Sequence, residues 1–503
     1  MAKRRLGFRV MKKVGLLSLF VFLSCCAIGS RNITSKELAL QGDGLTLNTM
    51  AIQQAIDEIA CRGGGTLTFY PGRFLTGGII MKSGVTLHLM EGATLLGSKN
   101  PYDYRSVSRP KEDNTEHDLT SKGLIMAVNA ENIGLTGAGT IDGQGLALSL
   151  FVDSLHHTGE WVDLFYNKRR LRPSGSMRPN LFFFCDCKQV MVEGLHLRNS
   201  AGWGLSFDRC EQLTLKDLVV YNRAYWNNDG IDITDCCEVR IDHCMVDAAD
   251  DGICLKSNTT NLCCRDVEIS NCQIKSSASA IKMGTASWGG FRKVSIHDIK
   301  VSDTFRSAIA IESVDGGIID SIKVENIHAL NTGNAIFLRL GARAGERKGE
   351  LKNVVIRNLY AEIPFGRPDI NYDLRGPEVD FFHNPFPSSI SGIPEATIEN
   401  IMLENIEMVF PGRATKGMAY LPLWRVKDVP EQIEKYPEFS MFGELPSWGF
   451  YVRHARGITF RNISLRLQDN DFRPAFVFDD VEQLRFDNIS VPPESTKVFH
   501  AKK

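Results

Sequence analysis

The sequence predicts an all-β solenoid of short parallel strands, with an amino-terminal capping helix and long loop insertions. Two observations carry this. First, one phrase recurs five times: Asp229-Gly230-Ile231-Asp232-Ile233, Asp251-Gly252-Ile253-Cys254-Leu255, Ser279-Ala280-Ile281-Lys282-Met283, Ser307-Ala308-Ile309-Ala310-Ile311 and Asn334-Ala335-Ile336-Phe337-Leu338. The starts lie 22, 28, 28 and 27 residues apart, and a period of about 20–50 residues marks stacked units. Second, positions three and five are always apolar. Positions four and six vary and are often polar: Asp232/Thr234, Cys254/Lys256, Lys282/Gly284, Ala310/Glu312 and Phe337/Arg339. That alternation predicts strands with one buried face and one wet face.

Residues 1–30 read as an export signal: Lys3, Arg4, Arg5, Arg9, Lys12 and Lys13 precede an apolar run from Val14 to Leu23. The run is short for a membrane span, and no later segment is long and apolar enough to be one. Leu23-Ser24-Cys25-Cys26 loosely resembles a bacterial lipoprotein box, which would lipidate Cys25 or Cys26; ordinary cleavage near Ala27 or Ser30 is the alternative. The expected location is the periplasm or the cell envelope. Residues 31–503 are expected to form one solenoid domain, acting as a monomer. Asn48 or Thr49 can cap a helix running to about Cys61, with Ile52, Ala55, Ile56 and Ile59 on one face and Gly63-Gly64-Gly65 ending it. Such a helix suits the open end of a solenoid, where strand edges would otherwise be bare. Short strands follow at Thr66–Tyr70, Val85–Met90 and Ile133–Thr136.

From Val190 each rung reads as a strand, a turn and the phrase. Asn326, Asn358, Asn400, Asn405, Asn462 and Asn488 recur where rung corners are expected, because Asn tolerates left-handed backbone. Residues 365–395 and 411–450 break the rhythm with Pro, Gly and aromatics, and insertions of that kind usually shape the binding face of a solenoid. The chain has 13 cysteines, most of them between Cys185 and Cys272. They lack the paired spacing of a structural zinc site, so most are read as packing residues, with room for one or two disulfides. The formal net charge of −1 gives no global field for nucleic acid. Phosphate loops, dinucleotide fingerprints and basic stripes are absent from the sequence, and no cofactor is called for.

One Asp-Gly pair alone is most often a turn. Here Asp229 and Asp251 hold the same station on adjacent rungs, and Asp250 adds a third carboxylate. Parallel strands stack about 4.8 Å apart, so these groups should converge. Carboxylates so close repel, and at least one pKa should rise. An acid kept protonated beside an ionised base is the pair that glycoside hydrolysis uses.

At these residues the chain resembles glycoside hydrolase family 28, the polygalacturonases and their relatives. Asn227-Asn228-Asp229 matches the family's Asn-x-Asp, and Asp250-Asp251 matches its Asp-Asp at a spacing of 21. The resemblance extends over most of the chain, through "GGGTLTFYPGRFLTGGIIMKSGVTLHLMEGATLLGS", "GAGTIDGQG" and "RPNLFFF". It implies a right-handed parallel β-helix and an inverting mechanism. By the same implication Asp250 is the general acid, while Asp229 and Asp251 activate water. Two family motifs are missing. Ala278-Ser279-Ala280 stands where Gly-His-Gly is expected, and Ala310-Ile311-Glu312 where Arg-Ile-Lys is expected. In the family those basic residues bind the substrate carboxylate. Lys256, Lys282 and Arg339, outward-facing by the alternation, are the candidate substitutes, with Ser279 in the histidine column and Glu312 available to a sugar hydroxyl. Asn227 and Trp226 are further candidate substrate contacts; Trp203, Tyr225 and Trp288 are weighed as stacking or corner aromatics. His243 and His297 read as structural.

The leading expectation is an exported inverting hydrolase of pectic or other uronate-containing oligosaccharides, exo-acting because the insertions favour a pocket. A β-helix polysaccharide lyase would instead want a calcium cage and Lys256 or Lys282 as base; a non-catalytic glycan-binding helix would not need all three aspartates.

Overall fold

The computed structural model describes residues 29–109, 111–114, 120–345, 347–368, 386–415, 421–493, 495 and 498–500. Most of the signal segment, residues 369–385 of the first insertion and residues 416–420 of the second lie outside the described residues. From Ile33 to His500 the described strands join into one parallel sheet that winds as a right-handed β-helix. Through the regular rungs each strand pairs with the third strand after it, so a rung contributes three faces.

The face that positions the site stacks Leu205–Asp208, Ile231–Thr234, Ile253–Ser257 and Ile281–Ser287, then the last residues of the long strands Gly290–Ser313 and Ile318–Leu340. The register aligns Ile231, Ile253, Ile281, Ile309 and Ile336 in one column. All five are buried in the central apolar core. The repeated isoleucine is thus a stack of side chains one rung apart, the arrangement that buries a continuous core when no single rung could.

Helix α1 runs Thr49–Cys61 and buries Ile52, Ala55, Ile56 and Ile59. Asn48 precedes it without capping it: its side chain hydrogen-bonds instead with the backbone of Gln41. A second helix, α2, spans Gly145–Thr158 and buries Leu148, Val152 and Leu155; the sequence reading passed over it. The corner asparagines all adopt left-handed backbone. Their side chains form a ladder: Asn358 donates to Asn326, Asn405 to Asn358, Asn462 to Asn405 and Asn488 to Asn462, at 2.9–3.0 Å. Each amide satisfies the next where the chain must turn.

The expectation of a wet outer face is overturned. Asp232, Cys254, Lys282, Ala310 and Phe337, position four of each rung, are all buried. The second insertion lies over Lys282, Ala310 and Phe337. Val426, Val429, Phe439, Phe442 and Leu445 pack with Phe386, Ala310 and Phe337 into a second apolar cluster. The disulfide expectation is not met either among the cysteines from Cys185 to Cys272, which are free thiols. Most are buried, and Cys187, Cys210, Cys236 and Cys264 belong to the central core. Among the described residues no helix is long and apolar enough to cross a membrane.

Candidate active site

Asp229 and Asp251 end the turns that lead into Ile231–Thr234 and Ile253–Ser257. The Gly230 N–H donates to the Asp251 carbonyl at 2.9 Å, and the Gly252 N–H to the Ser279 carbonyl at 2.8 Å, so successive stations are stitched by backbone. A Cβ on Gly230 would sit 2.5 Å from the Gly252 carbonyl oxygen, and one on Gly252 2.6 Å from that of Ala280. The glycine after each aspartate is therefore required by close stacking. One carboxylate oxygen from each of Asp229, Asp250 and Asp251 lies within 4.8 Å of the others. The Asp251 N–H donates to Asp250 Oδ1 at 3.1 Å, and the Ser279 N–H donates to Asp251 Oδ1 at 3.1 Å. Asn227, in left-handed backbone, sets its Nδ2 3.4 Å from Asp229 Oδ1.

Two lysines supply countercharge. Lys256 Nζ lies 3.2 Å from Asp229 Oδ2 and 2.5 Å from Asp232 Oδ1. Lys282 Nζ lies 3.1 Å from Asp251 Oδ2 and 3.1 Å from the Tyr436 hydroxyl. Burial opposes both ammonium charges, but the aspartates hold each lysine well above its ordinary value. Burial also pushes the Asp229 carboxyl well above the usual carboxylate range, helped by Asp232, Asp250 and Asp251 and opposed by Lys256. Burial presses on Asp251 too, yet Lys282, Arg306 and Lys256 together hold it below its ordinary value. Asp229 and Asp251 thus differ in proton preference, and of the two Asp251 is the one held ready to accept a proton. A divalent ion would have to displace ammonium groups already seated on the carboxylates, so this donor set does not suit one.

The aspartates open into a cavity of about 270 Å³. It is lined by Trp203, Asn227, Lys256, Lys282 and Arg306 from the helix and closed by two segments from outside the rungs. On one side the Asp113 and Asn114 N–H groups donate to the Asn258 carbonyl at 3.0 Å, and Asn114 and Asn258 also join through their side chains. On the other, the second insertion brings Tyr436 and Glu438; Glu438 Oε1 holds Arg306 Nη2 at 3.0 Å.

Of the residues singled out from sequence, Asp229, Asp250, Asp251, Asn227, Lys256 and Lys282 come together here. The others do not. Trp226 is buried behind the site, its ring 3.9 Å from the Arg172 guanidinium carbon and 4.4 Å from that of Arg178. It is a corner aromatic, whereas Trp203 lines the cavity with its ring 4.5 Å from Lys256 Nζ. Ser279 contributes its backbone amide. Glu312 is buried outside the lining, where burial pushes its carboxyl up to about 7. Arg339 follows the alternation but is covered by the second insertion: it donates to the carbonyls of Ser391, Gly392, Glu431 and Gln432. It latches the insertion and does not reach the cavity.

Arg306, Tyr436, Glu438, Asn258 and Asn114 were not anticipated. Arg306 had a signal. It stands one residue before Ser307, as Asp250 stands before Asp251, and backbone hydrogen bonds from Asp250 to Asn228 and from Arg306 to Ala278 mark that column. Asn114, Tyr436 and Glu438 arrive from segments without rung periodicity.

Comparison with known proteins agrees with this geometry. Residues 81–356, more than half of the chain, match the model of glycosyl hydrolases family 28, and the chain belongs to that family. A probable polygalacturonase of Vitis vinifera is 25% identical over 326 residues, covering 63% of this chain and 58% of that protein. An exo-poly-alpha-D-galacturonosidase of Dickeya chrysanthemi is 28% identical over 255 residues, covering 44% and 41%. The chain spans about half the length of these two relatives. The family 28 exopolygalacturonase of Yersinia enterocolitica superposes with a TM-score of 0.64 at 17% identity, over 92% of this chain and 79% of that one, a likeness of fold.

Proposed function

We propose that this protein hydrolyses pectic or related uronate-bearing oligosaccharides, releasing product from a chain end with inversion of the anomeric carbon. The observation that carries the reading is the convergence of three carboxylates at the floor of a cavity walled on both sides. In this mechanism Asp250 protonates the leaving oxygen, while Asp229 and Asp251 take the proton from the attacking water. The lowered pKa of Asp251, with Lys282 on one oxygen and the Ser279 amide on the other, supports its role as base. The walls formed by Asn114 and by Tyr436 and Glu438 support exo action, since a long polymer needs an open groove. Lys256, Lys282 and Arg306 line the cavity beside the aspartates, and Arg306 and Lys282 on the Asp251 side support an anionic sugar. The basic, then apolar, amino-terminal residues support export to the periplasm or envelope, with Cys25 or Cys26 as the lipid site if the segment is a lipoprotein signal.

One distance brings a second reading, a retaining mechanism, into the same test. Inverting enzymes commonly separate the two carboxyl groups by about 6.5–9.5 Å, and retaining enzymes by about 5–5.5 Å; here the oxygens lie within 4.8 Å. A β-helix fixes that spacing by its rung repeat of about 4.8 Å whatever the stereochemistry, so the distance does not by itself argue for a covalent intermediate. One experiment tests both readings: digest a panel of pectic oligosaccharides and follow the first-formed anomer by NMR. Inverted monomer or dimer supports the proposal. A retained anomer selects the second reading, and an unsaturated product selects a lyase.

A further inference from the structure

Asp232 has no part in the chemistry just described, yet it is fully buried beside it. Its Oδ1 receives Lys256 Nζ at 2.5 Å, and the same nitrogen lies 3.2 Å from Asp229 Oδ2 and 3.1 Å from Cys254 Sγ. Two carboxylates on one rung therefore share one ammonium from the next. The charged groups around Asp229 come from several elements. Asp232 stands on its own strand; Asp250, Asp251 and Lys256 stand on the following rung. Lys282 and Arg306 stand on the two rungs beyond, facing Asp251, with Tyr436 and Glu438 of the second insertion on them. Among the described residues, Lys256 is the cation in contact with Asp229. Burial and neighbouring carboxylates favour the protonated form of a carboxyl group, and a cation standing on it pulls the other way.

We propose that Lys256, seated by Asp232, is a positioning residue that orients Asp229 and favours its ionised form for water activation, against the burial that opposes it. The proposal rests on the hydrolase reading. It gives Lys256 a different task from that of binding a substrate carboxylate, because its nitrogen is already committed to two aspartates. It also predicts opposite effects from two neighbours. Without Lys256, Asp229 loses its cation and should hold its proton to higher pH. Without the Asp232 charge, Asp229 loses a repelling neighbour and gains a larger share of Lys256, so its proton should leave at lower pH.

The test compares Lys256→Met and Asp232→Asn with the parent enzyme. The acidic limb of kcat/KM against pH reports the base in the free enzyme. On a galacturonate oligosaccharide, Lys256→Met should move that limb upward by about one to three pH units, and Asp232→Asn should move it downward. KM should change little beside kcat; a large rise in KM with an unmoved limb would make Lys256 a substrate contact and overturn the proposal. Carboxyl-carbon NMR on protein labelled at aspartate Cγ supplies a readout independent of turnover, with the Asp229 resonance identified by its loss in Asp229→Asn. Its titration midpoint should rise in Lys256→Met and fall in Asp232→Asn. Midpoints that stay put, or move the same way in both, overturn the proposal. Should Lys256→Met not fold, Asp232→Asn decides alone: an unmoved or raised midpoint is the refuting result. If the parent enzyme cleaves no glycan, the hydrolase reading fails, while the titration still decides what Lys256 does.

Discussion

Replacing Arg306 with alanine asks whether the cation that reads the sugar acid has moved within the site. Arg306 lines the cavity beside Asp250, Asp251 and Lys282, and its side chain is 13% exposed. Lys282 Nζ is already bonded to Asp251 and Tyr436, which leaves Arg306, held through one nitrogen by Glu438, as the better-placed partner for an incoming carboxylate. A hydrogen bond to a charged group contributes about 1.5–3 kcal/mol, and 1.4 kcal/mol is a factor of about ten. Arg306→Ala should therefore lower kcat/KM by about 10- to 150-fold on a galacturonate oligosaccharide. The matching oligosaccharide with carboxyl groups reduced to alcohols should lose far less. Glu438→Gln sharpens the experiment. It frees the guanidinium from a competing carboxylate, so KM for the acidic substrate should fall while that for the reduced one stays. Initial rates on the two substrates, with circular dichroism to confirm folding, are the assay. Equal losses on both substrates would refute the reasoning and leave Arg306 a purely structural partner of Glu438.

Asp250→Asn should cost about 10²–10⁴ in rate on natural glycans, the usual worth of general acid catalysis, with folding intact; near-normal turnover on substrates with poor leaving groups would remove Asp250 as the acid. Chelation with EDTA should leave activity unchanged, because Lys256 and Lys282 already balance the carboxylates; activity lost to EDTA and restored by calcium would support a lyase. Arg339→Met should strand carbonyls of Ser391, Gly392, Glu431 and Gln432, each costing about 1–3 kcal/mol if left buried and unpaired. The expected outcome is a lower Tm and faster proteolysis within residues 411–450, and an unchanged cleavage pattern would show that Arg339 is no latch.

The rungs were legible because their signals are local. The isoleucine columns, the buried face of α1 and the asparagine corners each repeat at a period set by the backbone, and the structure keeps every one of them. Helix α2 carried a readable pattern as well, with Leu148, Val152 and Leu155 on its buried face; the rung rhythm around "GAGTIDGQG" obscured it. The outer face was not legible. Alternation says only that positions four and six point away from the core, and part of what covers them is an insertion remote in sequence, 92 residues on in the case of Arg339 and Glu431. That is why Arg339, correctly placed outward, ends on carbonyls of Glu431 and Gln432. It is also why Tyr436 and Glu438 could be assigned to a site-shaping insertion without being singled out.

The same geometry explains how a member of this family can lack two motifs and keep a coherent site. Asp229 and Asp251 are tied to one corner column, where backbone hydrogen bonds and the close approach at Gly230 and Gly252 fix them, and Asp250 is bonded to Asn228 in the column before it. Flanking cations are not tied in this way. Neighbouring rungs lie about 4.8 Å apart, less than the reach of a lysine or arginine side chain, so a positive charge needed at one point in the cavity can be supplied from several places. Lys256 reaches back to Asp229 on the preceding rung, and Lys282 reaches back to Asp251 in the same way. Arg306 comes from the column before the phrase and points into the cavity beside Asp251. The positions of the missing Arg-Ile-Lys are then free to change character. Ala310 joins the apolar cluster beneath the second insertion, and Glu312 is buried outside the lining. The second insertion packs over Ala310, where the missing motif would have placed an arginine, and its Tyr436 and Glu438 contact Lys282 and Arg306 at the cavity.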